Sequence, residues 1–127
     1  MKEQQTNEKV IEVEYIDQTN YTHYIGKTVK VKRFVDLDKL GLTKLPINFT
    51  EVDGDFYCSW NPLKTLEGAP EKVGGHFYCS DNKLTTLVGA PKYVGGNFNC
   101  CNNKLIIKAG APKYVGGDFC CYNEHPL

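Results

Sequence analysis

The stretch from Gly75 to Gly95 reads GHFYCSDNKLTTLVGAPKYVG, and it decides the fold because its neighbours copy it. The block before it, from Gly54 to Gly74, is GDFYCSWNPLKTLEGAPEKVG. The block after it, from Gly96 to Gly116, is GNFNCCNNKLIIKAGAPKYVG, and a fourth opens at Gly117 as GDFCCYNEHPL. Successive blocks start 21 residues apart. A fixed step of this size marks one supersecondary unit stacked on itself. A unit so short cannot bury its own apolar side, so it covers that side with its neighbours and builds a solenoid.

Stacking in register turns matching letters into columns. Strand alternation sends Phe56, Phe77, Phe98 and Phe119 inward, with Cys58, Cys79, Cys100 and Cys121 as a second inward column. Leu63, Leu84, Leu105, Leu66, Leu87, Val73, Val94 and Val115 complete the floor. Lys108 stands where Leu66 and Leu87 stood, which loosens that edge. Asn61, Asn82 and Asn103 sit where the chain leaves the strand. There an amide offers both a donor and an acceptor to buried backbone, so a ladder of asparagines linking the coils is expected. Its next step falls on Glu124, with Leu127 one residue late, and the ladder ends there. The Gly-Ala-Pro and Val-Gly-Gly segments read as turn chemistry. The paired glycines are not a phosphate loop, because no strand–loop–helix with a following Lys-Ser/Thr accompanies them.

Working back by one step gives Val35, Leu37, Leu42, Leu45 and Val52, all apolar, so a degenerate coil precedes Gly54. Leu40 takes the asparagine position and Pro46 becomes the turn-former. Upstream, residues 10–16 (VIEVEYI) and 28–32 (TVKVK) have strand composition, separated by the turn-forming Asp17-Gln18-Thr19-Asn20. They are assigned as a β-ribbon that caps the first coil. The expected organisation is a tail and cap over 1–33 and a solenoid over 34–127, with coils near 33–53, 54–74, 75–95 and 96–116 and a partial one at 117–127.

The pattern F-x-C-x-x-N-x-L, as in Phe77, Cys79, Asn82 and Leu84, resembles the leucine-rich repeat family. The dialect N-x-L-x-x-L-x-G-A-P-x-x-V-G-G-x-F-x-C is similar to the small leucine-rich repeat proteins of tailed bacteriophages. The resemblance covers roughly residues 34–127. It implies a mostly β solenoid: a parallel sheet of short strands, with irregular or 3₁₀ turns on the convex side. It also implies that the concave sheet binds partners.

Composition narrows the function. Lys+Arg and Asp+Glu are both 15, so the formal net charge is zero. The balance argues against a nucleic-acid partner, which normally demands a basic surplus. No apolar run approaches the ~20 residues of a membrane span, and MKEQQTNEK has no hydrophobic segment behind it, so a cytoplasmic location is expected, the host cytoplasm for a phage protein. The sequons at Asn20 and Asn48 are read as chance matches.

Six cysteines raise disulfides or zinc. Four share one repeat position and their Cβ vectors run parallel, so a reduced, buried ladder is expected. Cys100-Cys101 and Cys120-Cys121 resemble a four-thiol set. Adjacent residues on a strand point to opposite faces, so no metal or other cofactor is expected, and Cys101 and Cys120 should face outward as the reactive thiols. His23, His76 and His125 form no recurring catalytic set, and the chain is read as a non-enzyme.

The outward strand positions nominate Asp55, Tyr57, Trp60, His76, Tyr78, Asp81, Asn97, Asn99 and Tyr122 for partner binding on the concave face. Tyr and Trp combine contact area with a polar handle and are enriched in interface hot spots, although Tyr is also simply a good strand residue. Tyr93 and Tyr114 are assigned to convex-side turn packing. The expected function is a non-catalytic protein-binding module. By the phage resemblance, it acts on a host bacterial protein such as a defence enzyme. Alternatives are a small-ligand or nucleotide binder using Trp60 and His76, and a self-associating repeat whose open last coil pairs with another copy.

Overall fold

The computed structural model describes residues 9–107 and 109–122. The expectations for Lys108, Glu124, His125 and Leu127 fall outside them. The described chain is a parallel-strand solenoid of about five turns with almost no helix. Its strands are β1 (Val10–Ile16), β2 (Thr28–Asp36), β3 (Asn48–Val52), β4 (Phe56–Tyr57), β5 (Lys72–Val73), β6 (Phe77–Tyr78), β7 (Tyr93–Val94), β8 (Phe98–Asn99), β9 (Tyr114–Val115) and β10 (Phe119–Cys120). A single 3₁₀ turn, Tyr21–Tyr24, lies between β1 and β2.

The N-terminal ribbon pairs as expected, and it does so in parallel: Val10 faces Thr28 and Ile16 faces Val35. A parallel pair requires a crossover rather than a hairpin, so the cap is built as a turn of the solenoid itself. The crossover opens on Asp17, whose Oδ1 accepts the N–H of Thr19 at 2.9 Å and its hydroxyl at 2.6 Å. Asn20 closes the same turn by donating Nδ2–H to the Tyr15 carbonyl at 3.1 Å.

Strand β2 explains the sheet order β10-β8-β6-β4-β2-β3-β5-β7-β9. Its first half pairs with β3 and its end with β4. In every later coil this one long strand is broken into two short ones, so two ladders run away from β2. One carries Phe-Tyr or its equivalents, and the other carries Lys72-Val73, Tyr93-Val94 and Tyr114-Val115. The Val-Gly-Gly segments, read above as turns alone, thus bend between two strands. Glycine is needed there for proximity: a Cβ on Gly95 would be driven into the carbonyl oxygen of Gly74. The bend stays hydrogen-bonded through the stack, with Gly96 N–H donating to Gly75 O at 2.8 Å.

The columns form as expected. Phe56, Phe77 and Phe98 are fully buried, with centroids 5.1 and 5.6 Å apart and nearly parallel planes. Phe49 closes the stack edge-on at 5.0 Å. At the other end Phe119 is 43% exposed. Cys58, Cys79, Cys100, Leu63, Leu66, Leu84, Leu87, Val73 and Val94 are buried, whereas Leu105 and Val115 pack only partly.

The asparagine ladder is complete at its centre. Asn82 Oδ1 accepts the N–H groups of Asn61 (3.2 Å) and Leu63 (3.1 Å). Its Nδ2 donates to the carbonyls of Cys58, Cys79 and Ser80 at 3.0–3.1 Å. Asn61 does the same one coil earlier, bonding the N–H groups of Leu40 and Leu42. Asn103 continues the ladder to Leu84 and Cys79.

Candidate functional site: the outer face of the β4–β10 ladder

Phe56 and Cys58 are buried, so Tyr57 between them points out, and the same alternation turns Tyr78 and Asn99 outward, all three half-buried. Tyr57 and Tyr78 meet edge-on at 5.4 Å, and His76 lies 5.6 Å from Tyr78. These three rings are brought together as the sequence suggested. Asp55 Oδ2 accepts the Tyr57 hydroxyl at 2.9 Å. Burial, and then this bond, push the Tyr57 phenol up to about 12.

Asp55, His76 and Asn97 also carry structure. Asp55 Oδ1 accepts His76 N–H at 2.8 Å, His76 Nδ1 accepts Asn97 N–H at 2.8 Å, and Asn97 Oδ1 accepts Asp118 N–H at 2.8 Å. A backbone N–H can only donate, so the His76 ring is an acceptor at Nδ1 and presents its N–H at Nε2. This second ladder was not anticipated. Its signal was in the text: Asp, His, Asn and Asp recur at one repeat position, and all can accept.

Trp60 stands apart from the rings. It is 59% exposed and makes no ring contact among the described residues. Its φ is +59°, and the equivalent Lys39, Asp81 and Asn102 have φ of 57° to 60°. Asn and Asp tolerate this left-handed conformation, whereas a bulky side chain is strained by ~1–2 kcal/mol. Asn102 Nδ2 donates to Asp81 Oδ1 at 3.1 Å, and Asn99 Oδ1 takes Cys101 N–H at 3.0 Å. Tyr122 is exposed at the far end.

The face extends further back than the nominated residues. One step before Tyr57 and Ser59 stand Asp36 and Asp38, and Asp38 Oδ1 accepts Ser59 N–H at 2.7 Å. Burial pushes the Asp38 carboxyl above the usual carboxylate range.

The cysteines correct the expectation of a fully reduced column. Cys100 and Cys121 form a disulfide, with Cα atoms 4.7 Å apart. Parallel Cβ vectors do not forbid the bond, because the stacking distance lies inside the span of a disulfide and rotation about Cα–Cβ turns the sulfurs together. Cys58 and Cys79 remain free and buried, and burial drives both thiols up. Cys101, expected to face outward, is buried at 6% exposure and Cys120 is half-buried. Their sulfurs lie 2.7 Å apart, and the bond to Cys101 raises the Cys120 thiol most. Among the described residues, no group of three or more His, Cys, Asp or Glu is arranged to hold a metal ion.

On the other ladder Tyr93 and Tyr114 stack at 4.8 Å, with the Lys72 ammonium 5.3 Å from the Tyr93 centroid. They belong to strands rather than to turns. An open depression of about 490 Å³ lies among Ile25, Lys44, Pro46, Ile47 and Glu67, and none of the nominated residues lines it. No helix among the described residues is long and apolar enough to cross a membrane. No family model matches the chain, and comparison with curated proteins and with solved structures gives no significant match.

Proposed function

We propose that the outer face of the β4–β10 ladder is a protein-binding surface and that the chain acts by binding rather than by catalysis. Trp60 carries this reading. The largest side-chain type of all occupies a left-handed position at a cost in stability and leaves most of its surface in water. Contact with a partner is what repays both. On the same face the Tyr57–Tyr78 pair adds rigid aromatic area with a hydroxyl at its rim. The resemblance of the repeat dialect extends the reading to a host bacterial protein as partner. Affinity enrichment from bacterial lysate with wild type, Trp60→Asn and Tyr57→Ala/Tyr78→Ala tests it. A protein held by wild type and lost with both variants supports the surface, and equal recovery by all three overturns it.

A second reading, self-association, rests on the last coil. Strands β9 and β10 each lack an outer neighbour among the described residues, and Phe119, Ile106 and Ile107 are exposed beside them. Open strand edges template pairing. Mass in solution across a concentration series tests it: a dimer weakened by Phe119→Lys is expected, and a monomer throughout excludes it.

A further inference from the structure

We propose that Cys101 and Cys120 form a second, closable cross-link between the last two coils, a dithiol that an oxidised thiol of the glutathione disulfide class converts to a disulfide. The two sulfurs are already 2.7 Å apart. Nothing in the repeat requires cysteine at either place. The Cys101 position is serine in the two preceding coils, where Ser59 and Ser80 hydroxyls touch at 3.0 Å. The Cys120 position is Tyr57, Tyr78 and Asn99 in the earlier coils. Thiols thus replace hydroxyls and an amide only between the last two described coils.

A cross-link here would also act on a loosely packed coil. Among the described residues, the inner coils are covered on two sides and the coil of β9 and β10 on one, with Phe119 43% exposed and Val115 only half-buried. The Cys100–Cys121 bridge already ties this coil down. With that loop closed, the second bond forms between residues that are direct chain neighbours of the first pair, so little further chain entropy opposes it.

The chemistry balances as two exchanges. Half-buried Cys120 is the sulfur a reagent can reach. Its thiolate attacks glutathione disulfide, forming a mixed disulfide and releasing one glutathione. The Cys101 thiolate then attacks the Cys120 sulfur and releases the second. Two protein thiols lose two protons and two electrons, and one glutathione disulfide becomes two glutathiones. Excess glutathione runs the sequence backwards, which makes the hold on the coil of β9 and β10 respond to redox poise.

The proposal separates the two bridges by mutation. In Cys100→Ser/Cys121→Ser, Cys101 and Cys120 are the cysteines left in the last two described coils. Incubation across glutathione ratios, alkylation in denaturant, and tryptic digestion are expected to yield peptide 93–104 joined to peptide 114–127 in oxidising mixtures. The melting temperature of this variant is expected to rise on oxidation, because the bond now closes the loop alone. In wild type the rise is smaller, since the first bridge has already restrained the same loop. Intact-mass measurement of oxidised wild type against Cys101→Ser/Cys120→Ser keeps the test open should the first variant not fold. Wild type is expected to lack the hydrogens of two disulfides and the variant those of one. Free or glutathionylated Cys101 and Cys120 at every ratio, or a single bridge in oxidised wild type, would overturn the proposal.

Discussion

The side-chain amide of Asn82 reaches across the gap between coils to the carbonyl of Cys58, which lies 24 residues earlier, at 3.0 Å. The same amide satisfies two carbonyls of its own coil, and its oxygen takes two backbone N–H groups of the previous one. Every polar atom of this buried group is therefore used on backbone, and while the three carbonyls also accept from Asn61, Asn103 and the Trp60 N–H, the N–H groups of Asn61 and Leu63 depend on the Asn82 oxygen.

Replacement of Asn82 by Ala strands the N–H groups of Asn61 and Leu63 and removes one donor from each of three carbonyls. An unsatisfied buried group costs ~1–3 kcal/mol, so a loss of about 3–5 kcal/mol is expected by urea denaturation. Asn82→Asp should not rescue it, because it keeps the acceptor, removes the donors and adds a buried charge.

Trp60 separates stability from binding. Trp60→Asn places at φ +59° a residue type that tolerates this conformation, as the equivalent Asn102 does at +58°. Stability is expected to hold or rise by about 1 kcal/mol, while affinity for the partner is lost. A thermal melt beside a binding assay reads both, and a destabilised variant with intact binding would reverse the assignment.

The period, the phenylalanine column and the asparagine ladder were legible because each depends on a letter recurring at a fixed step. The second strand ladder was less so. Tyr93-Val94 looks like the approach to a turn until β2 shows that the turn lies inside one bent strand. The Cys100–Cys121 bond was not legible, because repeat spacing sets the direction of Cβ and leaves open the side-chain rotation that decides whether two sulfurs meet. Of the nominated face, Tyr57, Tyr78 and His76 do converge. Asp55, His76 and Asn97 turned out to spend one acceptor each on the next coil's backbone. Sequence alternation tells which side a residue faces, but not what it bonds to there.

Asp38 gives a pH signature. Its folded-state carboxyl is raised by burial, so the folded chain binds the proton more tightly than the unfolded chain does. Stability falls as pH rises through that interval and stays reduced above it. Asp38→Asn retains an acceptor for Ser59 N–H and removes the charge. The variant is expected to be at least as stable as wild type at pH 7, with its advantage shrinking as the pH drops below the carboxylate range. Melting curves from acid to neutral pH check the sign.

Gly95 tests the close approach at the bend. Gly95→Ala drives a methyl group into the Gly74 carbonyl, and the two coils must separate where Gly96 N–H bonds Gly75 O. A loss of about 1–3 kcal/mol is expected, the range for overpacking, with faster amide exchange at Gly96.

Excision of residues 75–95 tests the stacking most directly. It joins Gly74 to Gly96 and leaves every column in register, with Phe56 meeting Phe98 and Asn61 meeting Asn103. The shortened chain is expected to fold cooperatively, with a denaturant slope reduced in line with the surface removed, while removal of residues 75–85 alone unfolds it. If excision of the full block proves as disruptive as excision of the half, the coils are not interchangeable units and the account fails.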